Sequence, residues 1–153
     1  MHYLVVVDSY SGWFEMNSLS DMTSATVITK LKRHFATHGT PQVVISDNGG
    51  QYSSHQFKEF SKEWNFIHIT SSPEHAQSNG LAENAVKQAK SLLEKTKRDG
   101  TDIYQNLLNL RNIPRDNILG SPAQRLMSRA TRNPIYTDKK LLKPKVVQPK
   151  TVK

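Results

Sequence analysis

The chain has 153 residues, 36% of them hydrophobic and 22% charged, which fits one ordinary globular domain rather than a disordered or fibrous protein. Its 21 Lys and Arg against 13 Asp and Glu give a net charge of +8, so polyanions are expected partners. The absence of cysteine excludes disulfides and cysteine nucleophiles and favours an intracellular compartment. The longest apolar run, residues 3–7, is far below the roughly 20 residues of a membrane span.

The chain opens with a pattern typical of a β-hairpin. Residues 3–7 are apolar without alternation, which predicts a strand buried on both faces. Ser9 to Gly12 form a turn signal, and residues 13–17 are expected to pair back as the second strand.

A strand–helix–strand unit follows the hairpin. Apolar residues at helical spacing predict a helix over 22–38, which Gly39 and Pro41 end. Residues 42–45 are a short β-branched run that predicts a strand leading directly to Asp47.

The second half of the sequence is predicted to be mainly helical. Ser53 and Ser54 are expected to cap a helix with an apolar face, and residues 66–69 a strand. Residues 70–80 have the composition of a surface loop. Further helices are predicted over 78–97, 103–110 and 122–127. The folded domain is expected to cover 1–136, and the Lys-rich tail 137–153 to be disordered.

Two carboxylates occupy positions where α/β folds place their sites. Asp47 ends a predicted strand, and Glu83 lies in the first turns of the helix entered from the loop. Each residue also has a purely structural interpretation. An Asp before Asn-Gly-Gly forms turns, and a Glu near a helix start complements the helix dipole.

The surroundings of these carboxylates resemble a known family. The segments ISDNGGQY at 45–52 and QSNGLAEN at 77–84, with 35 residues between Asp47 and Glu83, resemble the second Asp and the Glu of the D,D-35-E integrases. The sequence throughout the chain, including SPAQRL at 121–126, is most similar to gypsy-type retrotransposon integrases and genes derived from them. The resemblance covers about residues 2–136 and implies an RNase H-like α/β fold with a mixed central sheet flanked by helices.

The resemblance also implies a chemistry. Phosphodiester attack needs an activated oxygen nucleophile and charge stabilisation at both reacting oxygens, which two divalent ions supply. In the complete family domain two Mg²⁺ or Mn²⁺ ions are expected, and Asp47 and Glu83 would each bind one. Glycines 49 and 50 would allow close backbone approach, and Gly80 would let the loop before Glu83 move.

One departure from the family pattern limits this expectation. The family's first catalytic Asp lies on a strand upstream of the one that starts here at His2, so we expect a core without its first strand. Asp8 follows the next strand and matches the hairpin position, which favours a turn role over a metal ligand. The histidine pair His34 and His38 has i, i+4 spacing but no third ligand, so surface histidines are expected.

By resemblance, DNA contacts fall on the segment around Glu83. Gln77, Ser78 and Asn79 precede it, and Lys87 and Lys90 follow on the same predicted helix face. A solvated helix face with a Lys90–Glu94 pair is the alternative interpretation of these lysines.

Two functions of different classes remain open from the sequence. The first is a DNA strand transferase core of a retroelement that joins element ends to target DNA, expected to form homo-oligomers and to act in the nucleus. The second is a noncatalytic DNA- or protein-binding module that retains the fold. A ribonuclease of the RNase H type is disfavoured by the integrase-like loop over residues 72–80.

Overall fold

A computed structural model describes residues 2–70, 76–115, 120–134 and 139–145, with only the backbone described at 76–79. The fold is mixed α/β. Its elements in chain order are β1 (His2–Val7), β2 (Phe14–Leu19), α1 (Ser24–His38), β3 (Val43–Ser46), α2 (Gly50–Ser53), α3 (His55–Glu63), β4 (Ile67–Thr70), α4 (Ala76–Asp99), α5 (Ile103–Arg111), α6 (Pro122–Met127) and α7 (Lys139–Leu142).

The chain divides into two compact units. Unit 1 contains Met1–Val6 and Glu15–Asn84, and unit 2 contains Val7–Phe14 and Ala85–Lys153. Both units are therefore assembled from two separate chain segments.

The predicted helix over 22–38 is confirmed as α1, and the helix expected after Ser53 and Ser54 is confirmed as α3, whereas α2 was not predicted. The Thr23 side chain accepts a hydrogen bond from the Thr26 amide at the start of α1, and Gly39 ends the helix at φ 88°. Ser54 caps α3 by accepting from the Phe57 amide at 3.1 Å. These local bonds fix where the two helices begin and end.

The core of unit 1 is a cluster of aliphatic and aromatic side chains between α1, α3 and the strands. Val27 and Phe57 are fully buried. The members of the cluster are Leu4, Leu19, Val27, Leu31, Phe35, Phe57, Phe60 and Phe66. The Phe35 and Phe60 rings stack with centroids 5.8 Å apart, and Trp64 packs at the margin of the cluster. The predicted apolar face of α3 is thereby confirmed.

The strands of unit 1 form two ladders, not a single sheet. β1 pairs with β2, and β3 pairs with β4 in parallel with Val43 opposite Ile67. The prediction that residues 3–7 are buried on both faces is wrong, since only Leu4 is buried and Tyr3 is exposed. Val5, Val6 and Val7 are half-buried, and among the described strands β1 pairs with β2 alone.

This free edge leads to a prediction about association. We expect the protein to self-associate in a concentration series, because an apolar strand with an unpaired edge is a template for pairing with another chain. Val5→Lys, which places a charge on β1, should shift the equilibrium towards monomer. Light scattering measures both masses, and a monomer at all concentrations would contradict the prediction.

Unit 2 combines the hairpin turn with the carboxyl-terminal helices. In the turn, Asp8 Oδ2 accepts hydrogen bonds from the Ser11 amide at 2.9 Å and the Ser11 hydroxyl at 2.6 Å. The Arg111 guanidinium lies 4.0 Å from the Trp13 ring centroid and donates to the Phe14 carbonyl at 2.9 Å. These contacts join the start of the chain to α5.

Helix α4 is longer than predicted. It begins at Ala76, so the expected loop over 70–80 is too long, and Gly80 lies inside a 24-residue helix instead of in a mobile loop. A glycine inside a helix destabilises it by about 1 kcal/mol relative to alanine, and the remaining residues of this 24-residue helix offset that cost. Residues 71–75 of the predicted loop lie outside the described residues.

The Lys-rich tail is partly described. Its residues 139–142 form α7, and the Ala130 amide donates to the Leu141 carbonyl at 2.8 Å. Residues 146–153 lie outside the described part. None of the helices in the described ranges is long and apolar enough to cross a membrane.

Candidate active site

Asp47 lies directly after β3, where the sequence placed it. Its side chain is exposed, and Oδ1 accepts a hydrogen bond from the Gly49 amide at 2.8 Å. A Cβ atom on Gly49 would lie 2.9 Å from this oxygen and 2.7 Å from Gln51 Oε1. A side chain at position 49 would therefore displace the carboxylate, whereas a Cβ on Gly50 would meet no atom within 4 Å.

A hydrogen-bonded pair that sequence reasoning missed supports the backbone of Asp47. Ser46 Oγ donates to the Asp47 carbonyl at 2.9 Å and lies 2.7 Å from His68 Nε2. Because the hydroxyl proton is used, the ring nitrogen acts as the donor to Ser46. Burial lowers the pKa of His68, which favours the neutral ring. Only the parallel pairing of β3 with β4 could have indicated that Ser46 and His68 lie close together.

Tyr52 is electrostatically linked to Asp47. Burial raises the pKa of the Tyr52 phenol, and the Asp47 carboxylate raises it further. The phenol ring packs edge-on against Phe57 with centroids 5.4 Å apart. The phenol therefore reports on the charge state of the candidate site.

We expect Asp47→Asn to lower the pKa of Tyr52 towards, but not to, its ordinary value, because the effect of burial persists. Absorbance titration of the phenolate, with Tyr52→Phe subtracted to isolate this one of five tyrosines, measures the shift. An unchanged Tyr52 titration in Asp47→Asn would show that the carboxylate does not act on the phenol.

Glu83 lies in α4 within unit 1, and its side chain is exposed. Gln77, Ser78 and Asn79 belong to the first turns of the same helix. Their side chains lie outside the described part, so their predicted DNA contacts stay predictions.

The described residues contain no group of three or more His, Asp or Glu side chains placed to hold a metal ion. Asp8 instead holds the hairpin turn through Ser11, which agrees with the turn role expected for it. His34 and His38 contact β2, at Asn17 Oδ1 (2.5 Å) and Glu15 Oε1 (3.4 Å), and are not paired around a common point. Asp47 and Glu83 thus remain as candidate ligands without a third described partner.

The two lysines expected to contact DNA lie on the exposed face of α4. Lys87 and Lys90 are exposed, whereas Ala85, Ala89 and Leu92 are buried. Val86, an apolar residue of the same helix, is 36% exposed. No ion pair joins Lys90 to Glu94 in this described stretch of α4.

Comparison with solved structures first defines the class of protein. The catalytic core domain of HTLV-2 integrase, solved in complex with magnesium in a trimeric form, superposes with a TM-score of 0.64 and 26% identity, covering 78% of this chain and 80% of that one. The fold is RNase H-like, as the motifs implied.

Comparison of sequences then defines the family. Residues 1–76 match the family model of the integrase core domain. The uncharacterized protein K02A2.6 of Caenorhabditis elegans is 34% identical over 96% of this chain and 12% of that protein. The Gag-Pro-Pol polyprotein of Mason-Pfizer monkey virus is 34% identical over 69% of this chain and 6% of the polyprotein. The chain belongs to the integrase core domain family, and it spans about an eighth or less of these relatives.

Proposed function

We propose that the chain acts as the catalytic core of a DNA integrase of retroelement origin, in which a 3′ hydroxyl of element DNA attacks a phosphodiester of target DNA. The observation that carries this proposal is the position of Asp47 directly after β3, with Glu83 on α4 and 35 residues between the two. The function requires access to nuclear DNA.

Asp47 and Glu83 fit a divalent ion through their chemistry. Both are exposed carboxylates, and Mg²⁺ is bound in such sites by few carboxylates, with water and substrate phosphate completing the shell. The ion, when bound, stabilises the negative charge that develops on the attacking and leaving oxygens. HTLV-2 integrase, a relative by fold, was solved with magnesium.

The groups around Asp47 position its carboxylate and do not themselves form or break the phosphodiester bond. The Gly49 amide orients Asp47 Oδ1, and Ser46 and His68 fix the backbone from which that carboxylate projects. Lys87 and Lys90 would contact DNA phosphates, and a homo-oligomer would bring further chains to the same DNA.

A noncatalytic DNA-binding module is the second candidate. It is favoured by one specific observation, namely that the described residues bring no three potential ligands together. We expect Mg²⁺ and Mn²⁺ to bind weakly to the isolated chain, because two carboxylates offset the dehydration of Mg²⁺ poorly.

The test combines titration calorimetry for both ions with a strand-transfer assay on duplex DNA. Asp47→Asn and Glu83→Gln should each remove the residual metal binding, and Asp99→Asn, a distant acid on α4, serves as the control. Metal-dependent transfer lost in the first two variants and kept in the control supports the catalytic function. DNA binding without transfer at any metal concentration supports the noncatalytic module.

A further inference from the structure

A cavity of about 350 Å³ in unit 1 is lined by residues of α2, α3 and β4 and their adjoining segments. Its lining side chains are a tyrosine, a lysine, two histidines and four serine or threonine hydroxyls. None of them is acidic or aliphatic. The cavity therefore offers hydrogen-bond donors and positive charge.

The lysine of this cavity is not neutralised by a neighbouring acid. Lys58 is exposed, and no described carboxylate lies within ion-pair distance of its ammonium group. On the same helix, Lys62 lies 4.0 Å from Glu59, and His55 of the cavity lies 3.8 Å from that same acid. Lys58 thus provides the unopposed charge of the cavity.

Two of the lining rings are fixed by aromatic packing. The rings of Tyr52 and His68 both contact Phe57, with centroid distances of 5.4 and 4.7 Å. Phe57 is fully buried, and His68 is also hydrogen-bonded to Ser46. Lining rings held in this way keep the cavity in place before a ligand binds, which lowers the entropic cost of binding.

We propose that this cavity binds a phosphate group. The Lys58 ammonium and the Tyr52, Ser54 and Thr70 hydroxyls are groups that can donate to a tetrahedral oxyanion, and the hydrogen bonds from lysine are charge-assisted. The Ser53 and Ser61 hydroxyls donate instead to the Gly50 and Lys58 carbonyls. The volume is at the lower end of the range for ligand sites, about 300–1000 Å³, and leaves room for more than a bare phosphate. The site shares no residue with the Asp47 and Glu83 pair. Assigning the phosphate to a DNA strand, rather than to a free nucleotide, rests on the proposed function.

The test is a heteronuclear NMR titration of the full chain at constant ionic strength with inorganic phosphate, then thymidine monophosphate, then a short oligothymidine. We expect phosphate to shift the amide signals of Lys58 and Ser61 and the ring signals of His68. Lys58→Ala should weaken phosphate binding about tenfold. Lys62→Ala, which removes the same charge from the same helix, should change it less than about twofold.

The outcomes distinguish the phosphate of a DNA strand from that of a free nucleotide. Shifts by phosphate and by the oligonucleotide, both weakened by Lys58→Ala alone, support a DNA-phosphate pocket. Shifts by phosphate and the mononucleotide but not the oligonucleotide overturn the DNA assignment and leave the phosphate site. No shift, or equal loss in Lys58→Ala and Lys62→Ala, overturns the site itself. Lys58→Gln repeats the measurement should the alanine variant lose its fold. Metal binding at Asp47 is measured separately, so failure of the pocket and failure of the proposed function are distinguishable.

Discussion

Replacing Phe57 with alanine is expected to lower the free energy of unfolding by about 3–5 kcal/mol, the cost of a cavity in a packed aromatic core. Phe57 is fully buried, and its ring contacts Phe60 at 5.6 Å and Phe66 at 6.2 Å between centroids. The same ring supports Tyr52 and His68, so no single neighbour can fill the space left by its removal.

Urea unfolding followed by far-UV circular dichroism measures this change. Tyr104→Ala is the control, because that side chain is 79% exposed and its removal should change stability by less than about 0.5 kcal/mol. Equal stability of the Phe57 and Tyr104 variants would contradict the packing described for unit 1.

The double substitution Lys87→Ala with Lys90→Ala is expected to reduce the salt dependence of DNA binding. Each neutralised phosphate contributes about 0.9 to the slope of log affinity against log salt, so the slope should fall by about 1.8. Preference among DNA sequences should change little, because phosphate contacts carry no base information. Fluorescence anisotropy on labelled duplexes over a salt series gives both slopes.

A control with equal loss of charge separates contact from general attraction. Lys30→Ala with Lys62→Ala removes two positive charges elsewhere and should leave the slope nearly unchanged. The Lys-rich tail is present in all these proteins and cancels in the comparison. A repeat in chains ending at Lys145 removes Lys150 and Lys153 and keeps the bond between Ala130 and Leu141. An unchanged slope in the Lys87 and Lys90 variant would show that these lysines do not contact DNA phosphates and form an ordinary solvated helix face.

Local signals predicted the helices well because their causes are local. Ser54 caps α3, as its residue type indicated, and α6 spans Pro122–Met127, the range predicted for the last helix. The end of α1 at Gly39 follows from backbone that only glycine adopts readily. The position of Asp47 in the fold was predictable for the same reason, since this residue directly follows the end of β3.

The remaining features depend on contacts distant in sequence. The start of α4 at Ala76 lies two residues before the predicted start at 78. Ser, Asn and Gly over 78–80 have loop propensities that a long helix overrides, which is why the predicted loop extended to residue 80. The division of the strands into two ladders follows from pairing, which composition does not encode. The contact between Ser46 and His68 spans 22 residues and appears only once β3 and β4 are paired.

The contact of Arg111 with Trp13 and Phe14 also sets an order of events during synthesis. Residues 7–14 leave the ribosome before their partner in unit 2, which follows 97 positions after Phe14. Until Arg111 has emerged, the Trp13 ring lacks its guanidinium cover and the Phe14 carbonyl lacks this donor. All residues of unit 1 have been synthesised once the chain reaches Asn84. The second segment of unit 2, which starts at Ala85, is synthesised only afterwards. In a nascent chain that ends between Asn84 and Arg111 the Trp13 ring lacks its contact with Arg111, and apolar surface left uncovered in this way promotes aggregation and chaperone binding.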